Sequence, residues 1–314
     1  MRRELRRRRL PRTPLANADA FGELVDLRAK VERVATGFVF TEGPVWDPQT
    51  NCLLFSDIPG DTRWRLRADG GVEEVMRPTH KANGMAYDGG GRLLICEHAT
   101  SRLVRESPDG TRETLASHFR DEELNSPNDV VVKSDGSIYF TDPSYGRMPG
   151  GGGLERECRL GFEGVYRVSP DGKAFDLVVA EREFEHPNGL CFSPDESRLY
   201  VNDTRRMHVK VFDVRPDGSL SEPAVFFDGM RGDHAAPGAP DGMKCDERGN
   251  VWVTGHGGVW VIAPDGDHLG TIRVPERVGN LTWGGAELKT LYLAASKSIY
   301  RIPTRVASAR LVHH

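Results

Sequence analysis

Six residues with oxygen-bearing side chains, Glu42, Asn83, Asn128, Asn188, Asp241 and Asn280, each lead into a short apolar segment. Two carboxylates and four amides are the hard donors that suit a divalent cation, and a carboxylate can also move a proton. Taken one at a time, an Asn or Asp in such a place is ordinary turn chemistry, because its side chain bonds to backbone two residues on. That explanation serves Asn280 and Asn83. It serves Glu42 poorly, since Glu is not a favoured turn residue and Gly43-Pro44 already make the turn in Thr-Glu-Gly-Pro.

What must position these residues is a repeat. Each is followed by a strand-like run (GPVWD, GMAYD, DVVVK, GLCFS, GMKCD, LTWGG), a Gly/Asp turn and a second run (CLLFSD, RLLICE, SIYFTD, RLYVND, VWVTG, TLYLAA). Third runs follow, and most end in Asp-Gly, which turns a hairpin because glycine accepts φ > 0. The spacings are 41 (83−42), 45 (128−83), 60 (188−128), 53 (241−188) and 39 (280−241). They cluster near the roughly 40–50 residues of a four-stranded propeller blade. The expected fold is therefore an all-β six-bladed β-propeller, in which the innermost strands line a central channel and the six residues converge on one axis. The sixth repeat lacks a good outer strand, whereas Lys30–Thr36 (KVERVAT) reads as one. The N-terminal strand is expected to close the last blade and remove an exposed edge.

Composition fits one such domain. No apolar run reaches the roughly 18 residues of a membrane span. The net charge is −4, and residues 1–14 carry seven Arg and one Glu, about +6, which leaves about −10 for the rest. An acidic body does not favour nucleic acid. The expected division is a basic, disordered tail over residues 1–20 and a propeller over residues 21–314. The tail is followed by neither an apolar stretch nor a small-residue cleavage site, so the expected location is cytoplasmic. Five cysteines without CxxC spacing read as reduced thiols rather than a zinc cluster or a disulfide framework.

Four motifs, TEGPVWD, SPNDVVV, HPNGLCFS and APDGMKCD, resemble in their order the senescence-marker-protein (regucalcin)/gluconolactonase/luciferin-regenerating-enzyme family, and PNDVV and FTDPSYG resemble its bacterial gluconolactonase-like branch. The likeness runs from about Thr36 to Ile302. It implies a six-bladed propeller that hydrolyses sugar lactones with one divalent metal in the channel. Carried over residue by residue, the metal ligands are Glu42, Asn128, Asn188 and Asp241. Asp241 is the expected proton acceptor, with Glu42 opposite as the second catalytic carboxylate. Four oxygen ligands leave coordination positions open and favour Ca²⁺ first, with Mg²⁺, Mn²⁺ or Zn²⁺ as the other candidates.

Asn83, His98 and Tyr145 are candidate substrate contacts. His80, Lys81, His186 and His256 read as blade-end residues outside the chemistry. The insertion SYGRMPGGGGLERECRLGFEG (residues 144–164) is a candidate lid or specificity element. Regucalcin-type members carry a substrate-binding arginine two residues before the third-blade asparagine, where this chain has Ser126. The alternatives are a propeller esterase, phosphotriesterase or paraoxonase-like lactonase with the same metal site, or a non-catalytic interaction propeller, which has no use for two carboxylates on one axis. The expected partner is a small lactone, with no nucleic acid and no membrane, on a monomer or weak homo-oligomer.

Overall fold

The computed structural model describes residues 18–230 and 236–309. Six four-stranded antiparallel sheets follow one another along the chain. The first runs from Thr41–Asp47 through Cys52–Asp57 and Thr62–Leu66 to Val72–Met76. The innermost strands of the next four are Ala82–Tyr87, Val130–Val132, Pro187–Phe192 and Met243–Cys245. The sixth sheet takes three strands from the C-terminal side, Val278–Gly284, Thr290–Ala295 and Ser298–Pro303. Its outer strand is Glu32–Thr36, paired antiparallel with Glu32 opposite Arg301 and Thr36 opposite Ser298. The ring thus closes as the sequence implies, with the N-terminal strand covering the last edge.

The core lies between neighbouring blades. Leu94, Phe140 and Tyr166 fill the seam of blades two and three, and Leu190, Phe192 and Val201 pack against Tyr139 and Val165 at the next. Burying sheet faces on one another in this way supplies most of the stabilisation, at about 25 cal/mol per Å² of apolar area.

A short helix, Ala18–Gly22, precedes the first strand, a feature absent from the sequence reading, and it crosses the expected boundary at residue 20. Phe21, Leu24 and Val25 are buried on the fifth and sixth blades. The Phe21 ring lies so close to Gly270 that a Cβ there would stand 2.7 Å from it. The basic stretch of residues 1–17 lies outside the described residues. Among the described residues, no helix is long and apolar enough to cross a membrane. All five cysteines are free, four of them buried in strands and Cys158 exposed.

Candidate active site

The innermost strands of blades one, two, four and six are irregular at the ring residues. Their registers slip between Glu42 and Val45, Ala82 and Met85, Pro187 and Leu190, and Val278 and Asn280. A β-bulge of this kind re-aims a side chain while the strand continues. Five of the bulge and turn pairs carry a glycine, and the reason is a close approach rather than flexibility. A Cβ on Gly43 would lie 1.9 Å from Asn83 O, on Gly84 2.4 Å from Asn128 O, on Gly189 2.1 Å from Asp241 O, and on Gly242 2.0 Å from Asn280 Oδ1. Gly279 closes the circle, with its missing Cβ 2.7 Å from Glu42 Oε1. At five of the six seams, all but that of blades three and four, one ring segment thus rests on the next.

Hydrogen bonds lock the same circle. Gly84 N donates to Asn128 O (2.8 Å), Gly189 N to Asp241 O (3.1 Å) and Gly242 N to Gly279 O (2.7 Å). Side chains on second strands hold the ring carbonyls of the following blade: Ser56 Oγ donates to Asn83 O (2.9 Å), Thr141 Oγ1 to Asn188 O (2.7 Å) and Asn202 Nδ2 to Asp241 O (2.5 Å). All six ring residues are buried, and within the ring Glu42 meets Asn280 while Asn188 meets Asp241.

Their electrostatics are those of crowded carboxylates. Glu42 Oε2 accepts from Gly43 N (2.6 Å) and Asn280 Nδ2 (3.1 Å). Burial, and then the neighbouring charges of Asp241 and Asp129, still hold its carboxyl well above the usual range. Asp241 is pushed up to about 6 by burial, against the opposing pull of Arg277, whose Nη2 donates to Asp241 Oδ2 at 3.1 Å. The Asn188 amide also bonds Asp241, and its Nδ2 donates to Thr204 Oγ1 (3.0 Å), which donates in turn to Pro240 O (2.7 Å).

Three residues here were missed by sequence reasoning: Thr204, Asp129 and Arg277. Asp129 is 2 % exposed. Its Oδ1 accepts from Val130 N (2.9 Å), and its Oδ2 has no hydrogen-bond partner. It stands where the first, second, fourth and fifth blades have a glycine after the ring residue, and the break in that pattern is the signal that could have found it. Arg277 sits three residues before Asn280; only its charge near a ring position marked it.

The donor set fits a hard divalent cation. Two carboxylates and two amide oxygens carry no soft ligand. The crowding of the buried carboxyls of Glu42, Asp241 and Asp129, opposed by Arg277 at Asp241 and by Lys244 Nζ 3.9 Å from Asp129 Oδ2, is what a cation relieves. Among the described residues, no group of three or more His, Cys, Asp or Glu is gathered as a metal set. A Glu/Asp pair with amides is a different arrangement from such a centre.

The candidate substrate contacts border the ring. Asn83 Nδ2 meets His98 Nε2 at 3.2 Å. Tyr145 opens a 3₁₀ turn, Tyr145–Arg147, and its hydroxyl bonds Thr204. Its ring stands 4.8 Å from that of His186, which pairs with Glu163 at 2.9 Å. An open cleft of about 950 Å³ borders His186, Glu163, Arg147, Phe162 and Arg205. Ser126 supports this turn, donating to Pro143 O (2.5 Å) and accepting from Gly146 N (2.8 Å). The glycine-rich insertion is stapled by arginines: Arg147 to Asn125 O (2.5 Å) and Glu123 (2.6 Å), and Arg156 to Ala99 O (2.7 Å) and Ser101 Oγ (2.7 Å). Lys81 and His256 hold backbone carbonyls, of Pro59 and Ala236.

Residues 40–297 match the family described as SMP-30/Gluconolactonase/LRE-like region. A gluconolactonase of Zymomonas mobilis is 30% identical over 304 residues, covering 90% of this chain and 83% of its own. The solved structure of a gluconolactonase from Xanthomonas campestris superposes with a TM-score of 0.83 at 32% identity, covering 94% of this chain and 99% of that one. The fold alone is shared with a calcium-binding protein, regucalcin, from Agrobacterium tumefaciens, at a TM-score of 0.72 and 20% identity over 88% of this chain and 95% of that one.

Proposed function

The chain belongs to the SMP-30/gluconolactonase/LRE-like family, and from that premise we propose that it is a hydrolase opening sugar lactones to aldonic acids, with one divalent cation, Ca²⁺ first, held by Glu42, Asn128, Asn188 and Asp241. The observation that carries the reading is the pair of buried carboxylates with buried amides in one ring, Glu42 and Asn188 each set at a bulge. The gluconolactonases similar to this chain support the choice of a sugar lactone over other esters.

Asp241 is the proton acceptor. Its carboxylate takes a proton from the attacking water as oxygen adds to the lactone carbonyl carbon, and returns it to the ring oxygen when the C–O bond breaks. The Arg277 guanidinium favours the ionised state that this role requires. Glu42 is held by Gly43 N and Asn280 in one orientation, so its carboxyl oxygens are in place before substrate arrives. A bound divalent cation would supply Lewis acidity to the carbonyl and stabilise the negative charge that develops on its oxygen. Tyr145, fixed by Thr204 beside Asp241, forms part of the substrate-facing wall.

Substrate class is tested by assaying metal-loaded protein against aldonolactones, aliphatic lactones and an organophosphate triester. Preference for aldonolactones is expected. Turnover confined to the organophosphate would overturn the reading in favour of a phosphotriesterase, and turnover of none would remove the enzymatic role.

A further inference from the structure

Beside the ring, a buried polar pair is left with unused hydrogen-bonding capacity. Asn83 and His98 are 3 % and 1 % exposed, and each uses one side-chain atom on the other. Asn83 Oδ1 and His98 Nδ1 have no hydrogen-bond partner. Buried polar atoms are nearly always satisfied, so two orphans on neighbouring side chains call for a ligand that is polar itself. The pair is well placed for one. Asn83 lies between Glu42 and Asn128 around the channel, with Gly43 against its carbonyl and Gly84 N bonded to Asn128 O.

The pair is also preorganised. Burial holds the His98 imidazole down at about 4, so it is neutral near pH 7, with one nitrogen donating and the other accepting. With Nε2 accepting from Asn83 Nδ2, the amide oxygen is turned away from the imidazole and is left as a spare acceptor. The base of the His98 side chain is held in place. His98 N donates to Lys81 O (3.2 Å), and Gly146 packs so tightly that a Cβ there would lie 2.7 Å from His98 Cβ.

We propose that Asn83 is a specificity-determining residue that accepts a hydrogen bond from a ring hydroxyl of a polyhydroxylated lactone, and that His98 is the positioning residue that fixes the amide. An aliphatic lactone has no group to satisfy the buried oxygen; an aldonolactone has several. The inference rests on the sugar-lactone reading above and assigns its preference for hydroxylated rings to one buried amide.

The test compares glucono-1,5-lactone with δ-valerolactone, the same six-membered ring without hydroxyls, on metal-loaded protein. Wild type should favour the hydroxylated ring through KM. Asn83→Ala should lower the ratio of the two kcat/KM values on the order of 10- to 100-fold. His98→Phe should move the ratio in the same direction, and His98→Gln, which keeps a polar partner for the amide, should recover part of it. Equal proportional losses on both rings, or an unchanged ratio, would overturn the proposal. The wild-type comparison needs no variant to fold: both rings opened with equal KM would overturn the proposal alone, whereas neither ring opened would also remove the reading beneath it.

Discussion

Asp241→Asn keeps the size and turn geometry of the residue while removing its charge, and it should pull turnover and stability in opposite directions. Because its folded-state value of about 6 lies above the ordinary 3.8, the native chain holds this proton more tightly than the unfolded chain does. In metal-free protein, ionising Asp241 is therefore a penalty absent below about pH 4 and fully present above about pH 6. The difference corresponds to roughly 3 kcal/mol. Unfolding entropy of about 2.1 cal/mol/K per residue, over this chain, converts 1 kcal/mol to roughly 1.5 °C in Tm. Metal-free Asp241→Asn should then melt up to about 4 °C above wild type at pH 8, with the gain vanishing toward pH 4. Arg277 loses its partner, but it is partly exposed and water replaces most of that contact. Turnover should fall on the order of 10²- to 10⁴-fold, the usual worth of a general base. The assays are calorimetry of chelated protein from pH 4 to 8 and lactone hydrolysis with spontaneous opening subtracted. A metal-free Tm several degrees below wild type at pH 8 would show that the Arg277 pair outweighs burial. Turnover within tenfold of wild type would remove Asp241 from proton transfer.

Glu42→Gln keeps an oxygen in place but halves the carboxylate charge of the proposed ligand set. Ca²⁺ affinity by calorimetric titration should drop by at least the roughly 10- to 100-fold that loss of a supporting partner costs, and wild-type affinity would place Glu42 outside the ligand shell. Gly43→Ala sets a Cβ 1.9 Å from Asn83 O at a φ of 50°, so a loss of about 2–4 kcal/mol is expected in denaturant unfolding; an unchanged midpoint would mean that the two ring segments separate freely. Deleting residues 1–14 should leave activity and Tm unaltered. Deleting through Thr36 removes the partner of Ser298–Pro303 and the buried Phe21, Leu24 and Val25. Those side chains are worth about 1.5–3 kcal/mol each, and a soluble, active protein starting at Gly37 would contradict the observed closure.

The fold was legible because every blade repeats the same local instructions: an apolar run, a turn containing Asp or Gly, and a second run. Even the closure by Lys30–Thr36 could be read, since a β-like segment at one end matched a missing strand at the other. The helix Ala18–Gly22 could not. Five residues with one large apolar side chain have no periodicity to read, and the helix exists because Phe21 finds room over Gly270, some 250 residues away in sequence. In the channel, the ring residues were legible through recurrence alone. Asp129 was hidden because it looked like the start of the DVVVK strand, where only Val130–Val132 pair. Arg277 was hidden because its partner, Asp241, lies one blade away, and Thr204 because its role is to join Asn188, Tyr145 and Pro240, a convergence only the closed ring creates.

The claim that a divalent cation in this ring is required for lactone opening is tested most directly by one titration. Protein stripped with a chelator and then dialysed is assayed on glucono-1,5-lactone while Ca²⁺ is added back. The account predicts no turnover above spontaneous hydrolysis in the stripped protein and recovery that saturates at one ion per chain. Full activity in the stripped protein, unaltered by added ion, would contradict it.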